Sequence, residues 1–383
     1  MYFVEERSNR NGYNRFDMAL FLPIVLLSIF GLFIVRSATI TRADGGLKII
    51  LVQCASFLIG VILAVVISFL DYRDINFLVK LAYICSCVLL VVVLLIGRGD
   101  QFGSRSWIKI AGFTFQPSEF AKITFILMVS DCLAKFDDKA IISLKDLAIF
   151  FMYVTVPILL VIVQKDFGTT CVFLAVFLVI LFVYGISMEL VIGLGGMFIA
   201  SLPLAWFFLL NEKRKDRIRV FLNPELDPLG SGLNVLRSKM TIGSGRIFGK
   251  GLFKGIQTQN SAVPVKESDF IFSVIGEEMG FIVSVLVVLT FLYIVLRCIY
   301  IAKNSSDLYG KLIVMGLVAM IGVHYVENIG MTIGILPVTG IPLPFISQGG
   351  TSMITNFIAV GFILSISNRK KNTRAQSKEA ELI

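Results

Sequence analysis

The sequence is poor in charge. Only 16% of its 383 residues are Asp, Glu, Lys or Arg, where a soluble domain carries about 25%. It has a single histidine, His324, two tryptophans and ten prolines. The shortage of charge excludes a water-soluble enzyme. With 56% hydrophobic residues and a mean hydropathy of +0.86, such a protein would expose apolar surface that its few charges cannot cover. The single histidine argues against zinc, because no second His or suitably spaced Cys accompanies it. The six cysteines (Cys54, Cys85, Cys87, Cys132, Cys171 and Cys298) lie in or beside apolar runs without metal-ligand spacing. They read as small buried hydrophobes and not as disulfides. A cleavable signal pattern is missing, since the polar stretch 1–17 leads into an apolar run too long for a signal-peptide core.

What is present is apolar sequence in long runs. A membrane-spanning helix needs about 20 largely apolar residues. Ten runs qualify, at 18–36, 47–70, 77–97, 116–134, 146–163, 168–185, 187–210, 269–301, 309–335 and 345–367. Helix is the state expected of each, because a chain in lipid must bond its own backbone. The expectation is an all-α polytopic integral membrane protein of about ten transmembrane helices, with a tail at 1–17, one domain at 18–367 and a basic tail at 368–383. Lys and Arg before the first run, after the second and fourth, around the eighth-to-ninth turn and in the final tail fall on one side if the count is ten. That places both termini in the cytoplasm. The net charge of +9 then points to anionic headgroups and inside bias, not to nucleic acid.

Two outer segments break this bias: 98–115, which carries Arg98, Arg105 and Lys109, and 211–268. The loop 211–268, between the seventh and eighth runs, falls outside, yet holds eleven basic and five acidic side chains, a net +6. Long loops escape the positive-inside rule. The loop also carries Gly243, Gly245, Gly249, Gly251 and Gly255, interleaved with Arg246, Lys250 and Lys254. Glycines let backbone N–H groups approach an anion, so the segment could cradle a phosphate or pyrophosphate. The bland alternative, a flexible basic loop at anionic headgroups, weighs equally on spacing alone.

Acids beside the membrane are the other signal. Asp269 opens the eighth run, with Ser273 and Glu277 at i+4 and i+8 on one helical face. A first-turn cap is the commoner role of such an acid, but Asp269 lies where a substrate at the membrane surface can reach it. Glu277 and Glu278 would sit about 12–14 Å deeper, paired across the bundle as structural groups. Glu119 and Lys122, at i and i+3, read as a buried pair ahead of direct chemistry, although Lys122 could instead neutralise Asp269 or a substrate. Asp166 caps or precedes the sixth run. His324, one turn from Glu327, reads as a hydrogen-bonding group of the bundle. The stretch 335–352 puts three prolines and several glycines at membrane depth, which is tolerated only where backbone is buried or lines a cavity. It is a packed turn or a groove wall, with Ser347, Gly349 and Gly350 at its end.

Taken together these segments resemble the SEDS family (shape, elongation, division and sporulation proteins) of bacterial cell-wall polymerases. The resemblance rests on Arg105-Ser106-Trp107, Phe115-Gln116-Pro117-Ser118-Glu119, Asp166-Phe167-Gly168-Thr169, Phe221-Leu222-Asn223-Pro224, Gly249-Lys250-Gly251, Ser268-Asp269-Phe270-Ile271-Phe272 and the stretch from Gly340 to Ser352. Asn328-Ile329-Gly330-Met331-Thr332 and the residues from Pro337 to Pro344 look like the rod-elongation branch (RodA), not the division branch (FtsW). Gln348, Arg237, Arg246 and the order Lys266-Glu267 depart from the family pattern, and none touches Asp269.

The resemblance implies a peptidoglycan glycosyltransferase of the hexosyltransferase class in the bacterial cytoplasmic membrane. Its substrate would be lipid II, a disaccharide-peptide on undecaprenyl pyrophosphate. Its partners would be a class B penicillin-binding protein and other membrane proteins of the elongation complex. The family's essential acid falls on Asp269, expected as general base. Arg105, Lys250 and Arg246, with or without a divalent cation (Mg or Mn), would offset the leaving pyrophosphate. Lys122, Glu119, Ser347, Gly349 and Gly350 are further candidates for the substrate groove, and Asp166, Glu277 and His324 are supporting. Two other readings remain open. A lipid II flippase or transporter fits ten spans, but the internal repeats common in transporters are not evident. A non-catalytic scaffold of the wall-synthesis complex is the third.

Overall fold

The computed structural model describes residues 16–42, 45–99, 105–110, 113–137, 143–189, 192–193, 195–197, 200, 215–216, 219–221 and 231–369. The helices are α1 (Met18–Thr39), α2 (Leu47–Phe69), α3 (Asn76–Ile96), α4 (Pro117–Asp137), α5 (Leu144–Val163), α6 (Phe167–Tyr184), α7 (Ser231–Ser244), α8 (Ile256–Gln259), α9 (Ile271–Lys303), α10 (Leu308–Thr332) and α11 (Gly350–Asn368). Eight of these described helices, namely α1, α2, α3, α5, α6, α9, α10 and α11, are long and apolar enough to cross a membrane. The chain is a polytopic helical membrane protein. The predicted run at 187–210 falls largely outside the described residues, as do both tails and most of 211–230.

Local chemistry sets several helix starts. Asp17, Asp166 and Asp307 each accept a backbone N–H three residues on, and Ser143 with Asp146 forms a reciprocal capping box. These caps satisfy amides that the first helical turn leaves open.

α4 is the central helix. It carries Glu119, Lys122, Asp131 and Lys135, more charge than lipid tolerates, and most of its side chains are buried among α3, α5, α6 and α10. Small residues bring helices together elsewhere. α11 lies along α2, where a Cβ at Gly361 would come within 3.0 Å of the Ala64 Cα and one at Gly60 within 2.8 Å of the Phe357 ring.

Three features differ from the sequence reading. The segment 98–115 is not plain loop. It contains a three-stranded antiparallel sheet of β1 (Arg98–Gly99), β2 (Arg105–Ile110) and β3 (Phe113–Phe115), with Arg98 opposite Trp107 and Ile108 opposite Phe115. It is the small exception to an all-helical fold. The second difference is in α9. Thirty-three residues at 1.5 Å each span about 50 Å, against a hydrocarbon core of about 30 Å. The helix breaks at Gly280, whose φ of 77° and ψ of −174° suit glycine alone. Residues 281–303 are by themselves long enough to cross that core, and 271–279 form a separate segment before the break. The last run also starts later than expected, at Gly350, because 340–349 is irregular and Phe345 takes a positive φ of 65°.

Candidate active site

Asp269 lies in a turn just before α9, its amide bonded to the Val265 carbonyl at 3.2 Å. It therefore precedes the helix and does not share a helical face with Ser273 and Glu277. Its carboxylate Oδ1 accepts from the Ser268 hydroxyl at 2.8 Å. Its Oδ2 points toward Gly340, where a Cβ would come within 3.4 Å. The main chain around it is pinned. The carbonyls of Glu267, Ser268 and Asp269 accept from the Gln348 amide at 2.9 Å, the Ser347 hydroxyl at 2.6 Å and the Asn328 Nδ2 at 2.9 Å.

The irregular stretch 340–349 supplies that frame and is itself fixed from several sides. Gln53 of α2 donates to the Ser347 carbonyl and accepts from the Gly349 amide, both at 3.0 Å. A Cβ at Gly31 of α1 would stand 2.6 Å from the Ile346 Cα. Gly350 begins α11. Ser347, Gly349 and Gly350 thus belong to a rigid wall beside Asp269, as a packed turn would.

The glycine-rich loop folds back on the segment 271–279. Glu277 accepts from the Lys250 ammonium at 2.7 Å, the Gln257 amide at 2.9 Å, and the amide and hydroxyl of Thr258 at 2.8 Å each. Glu278 accepts from Ser37 of α1 at 2.7 Å and from the Phe253 amide at 3.2 Å. The expected deep pairing across the bundle is corrected: both carboxylates hold the loop, and among the described residues Ser37 is the bundle partner. Counting depth along one unbroken helix caused the error. Three of the five loop glycines, Gly245, Gly249 and Gly255, are explained by contact with this segment. A Cβ at Gly245 would lie 1.9 Å from the Gly276 carbonyl oxygen, and one at Gly249, whose φ is 76°, 2.3 Å from that of Glu278. Lys250 is therefore engaged by Glu277 and Ser244, while Arg246 is exposed at a positive φ of 52°. Lys266 is buried, donating to the Thr258 carbonyl and to Ser261. Burial pushes its ammonium below the ordinary lysine value.

A third cluster fills the bundle interior. The Lys122 ammonium, 2% exposed, lies 2.8 Å from Glu119 Oε1 and 2.7 Å from His324 Nε2. Lys donates only, so Nε2 accepts and Nδ1–H donates to the Met320 carbonyl at 2.5 Å. The buried pair expected of Glu119 and Lys122 is what this interior holds, with His324 as its hydrogen-bonding partner. Asp166 caps α6, and its Oδ2 lies 3.4 Å from the Gln116 amide. Arg105 sits on β2 opposite Gly99, and its side chain lies outside the described part.

Among the described residues no group of three or more His, Cys, Asp or Glu is placed to hold a metal ion, so no step is assigned to one. Sequence reasoning overlooked Gln53 and gave Asn328 no role. A lone amide inside an apolar run was the available signal for both, since buried polar groups are there to be bonded.

A family model described as cell cycle protein, covering FtsW, RodA and SpoVE, matches residues 17–372. The chain belongs to the FtsW/RodA/SpoVE family. Membership agrees with the SEDS resemblance and takes in all three clusters above. Among its relatives, peptidoglycan glycosyltransferase MrdB of Escherichia coli K12 is 33% identical over 95% of this chain and 98% of its own length. Probable peptidoglycan glycosyltransferase FtsW of Geobacter metallireducens is 32% identical over 95% and 98%. A solved chain from a peptidoglycan synthase complex that coordinates polymerisation and crosslinking superposes with a TM-score of 0.77 at 26% identity, covering 93% of this chain and 99% of that one. The rod shape determining protein RodA of Thermus thermophilus shares the fold, with a TM-score of 0.69 at 24% identity over 94% and 99%.

Proposed function

We propose that this protein polymerises lipid II into glycan strands during cell elongation, with Asp269 as the general base. The glycosyltransferase activity rests on kinship. Relatives matched over nearly their whole length are peptidoglycan glycosyltransferases, and this chain is one. The observation that carries the assignment to Asp269 is its setting: a carboxylate with one oxygen toward Gly340, on a main chain fixed at three successive carbonyls.

In the reaction the acceptor 4-hydroxyl gives its proton to the Asp269 carboxylate as its oxygen attacks the anomeric carbon of the donor. The new C1–O4 bond forms as the bond from C1 to the pyrophosphate oxygen breaks, and the electron pair leaves with the pyrophosphate. Attack opposite the leaving group inverts an α-linked donor to a β-linkage. Arg105 and the exposed Arg246 offset charge on the departing pyrophosphate. Lys250 contributes by keeping the loop docked. Apolar faces between helices hold the polyprenyl tails.

The protein resides in the bacterial cytoplasmic membrane, with ten spans, both termini inside and 211–268 as the outer loop of a single domain at 18–367. Loop charge supports this orientation. A class B penicillin-binding protein is the proposed partner. A structural relative comes from a complex coupling polymerisation to crosslinking, which supports that pairing. The test supplies labelled lipid II to the purified protein, with and without the partner. Glycan polymer is the expected product. Translocation of lipid II without polymer would favour the flippase reading, and neither activity would favour the scaffold.

A further inference from the structure

The mechanism above needs the Asp269 carboxylate held still, and the turn that carries it is bonded at its main chain as well as through the Ser268 hydroxyl on Oδ1. Asn328, fully buried on α10, donates through one Nδ2 to two carbonyls, that of Asp269 at 2.9 Å and that of Ile341 at 2.8 Å. Ile341 follows Gly340, the residue that faces Asp269 Oδ2. A single amide thereby ties the turn that carries the carboxylate to the segment that follows Gly340, which stands beside that carboxylate. Ser347 acts one residue earlier. Its hydroxyl donates to the Ser268 carbonyl at 2.6 Å and accepts from the Leu343 amide at 2.8 Å.

We propose that Asn328, seconded by Ser347, is a positioning residue that sets the distance between the Asp269 carboxylate and the Gly340 wall. The inference rests on the reading of Asp269 as the base. The bond from Asn328 goes to the carbonyl of Asp269 and not to its carboxylate. It also ties the geometry of the reacting group to α10, a rigid helix, and not to a loop. Positioning matters steeply, because a misplacement of about 1 Å costs on the order of 100-fold in rate. A buried amide that merely satisfied loop carbonyls would act on folding and leave turnover per folded molecule unchanged.

The experiment measures kcat and KM for lipid II in the intact protein with its partner, for Asn328→Ala, Ser347→Ala and the double variant, alongside thermal stability in detergent. The expected result for Asn328→Ala is a fall in kcat of about 10- to 100-fold, with KM within about two-fold and Asn328→Gln recovering part of the loss. The double variant should lose less than the product of the single losses, because both act on one turn. Full kcat in Asn328→Ala, or a loss matching only its unfolded fraction, overturns the inference. If Asn328→Ala does not fold, Ser347→Ala decides by the same criteria. Asp269→Asn in the same assay separates the two ideas. An inactive Asp269→Asn beside a fully active Asn328→Ala sinks the positioning role alone, and a fully active Asp269→Asn sinks the base on which it depends.

Discussion

Lys122 is the residue whose removal is most instructive, because its charge is buried with its partners. Glu119 is also buried and depends on that ammonium, and His324 accepts from it. Removing one partner of a buried pair costs about 3–5 kcal/mol, while replacing both by apolar groups of similar volume is often neutral. Lys122→Met should therefore lower the melting temperature in detergent markedly, and Lys122→Met with Glu119→Leu should recover most of the loss. An equal fall in the single and double variants would contradict the pair. At this scale the sequence was legible where chemistry is local. The i, i+3 spacing of Glu119 and Lys122 announces a pair. The third member was not legible, since 202 residues separate Lys122 from His324 and only the fold joins them.

The break in α9 shows the same limit in an element. Glu277 and Glu278 interrupt the apolar run through 271–303, but neither they nor Gly276 and Gly280 are a stop signal in the sequence. What breaks the helix is a long-range contact: a Cβ at Gly280 would lie 2.2 Å from the Gly249 amide nitrogen. Glu277 and Glu278 were misplaced for this reason, because their partners lie on a loop that folds back from residues 250–259. The sheet carried a fainter signal, the period-2 spacing of Ile108 with Ile110 and, across a short turn, of Phe113 with Phe115. Gly280→Ala should push the loop off the segment 271–279, since neither the backbone angle nor the contact admits a side chain. Limited proteolysis checks this. Cleavage within 245–260 should rise strongly while the helices stay protected, and an unchanged cleavage pattern would rule the clasp out.

Across the whole molecule the two ends of the bundle are tied differently. The Asp269 end is held by hydrogen bonds from loops, with the ion pairs of Lys250 to Glu277 at 2.7 Å and of Arg42 to Glu267 among them. At the other end of α9, ion pairs bind the helix ends: Asp17 to Arg297 at 2.9 Å, Asp71 to Arg369 at 3.0 Å, and Asp307 to Arg73 and, at 2.5 Å, to the Tyr72 hydroxyl. Burial alone would raise the Asp307 carboxyl, but the Gly310 amide, Tyr72 and Arg73 together hold it below its ordinary value. Burial and the Asp307 carboxylate push the Tyr72 hydroxyl up to about 12. A carboxyl lowered in the folded state stabilises above its unfolded pKa, and that gain disappears as pH falls through the folded pKa. The melting temperature of Asp307→Asn should lie below that of the native protein throughout pH 5–8, and the gap should close on acidification below about 4. A gap that persists unchanged there would refute the clamp. The central claim is that Asp269 removes the acceptor proton, and polymerisation of labelled lipid II by purified Asp269→Asn with its partner tests it most directly. Loss of general-base assistance predicts a rate lower by about 10²- to 10⁴-fold in a protein that melts like the native one. Glycan strands made at the native rate by that folded variant would contradict it.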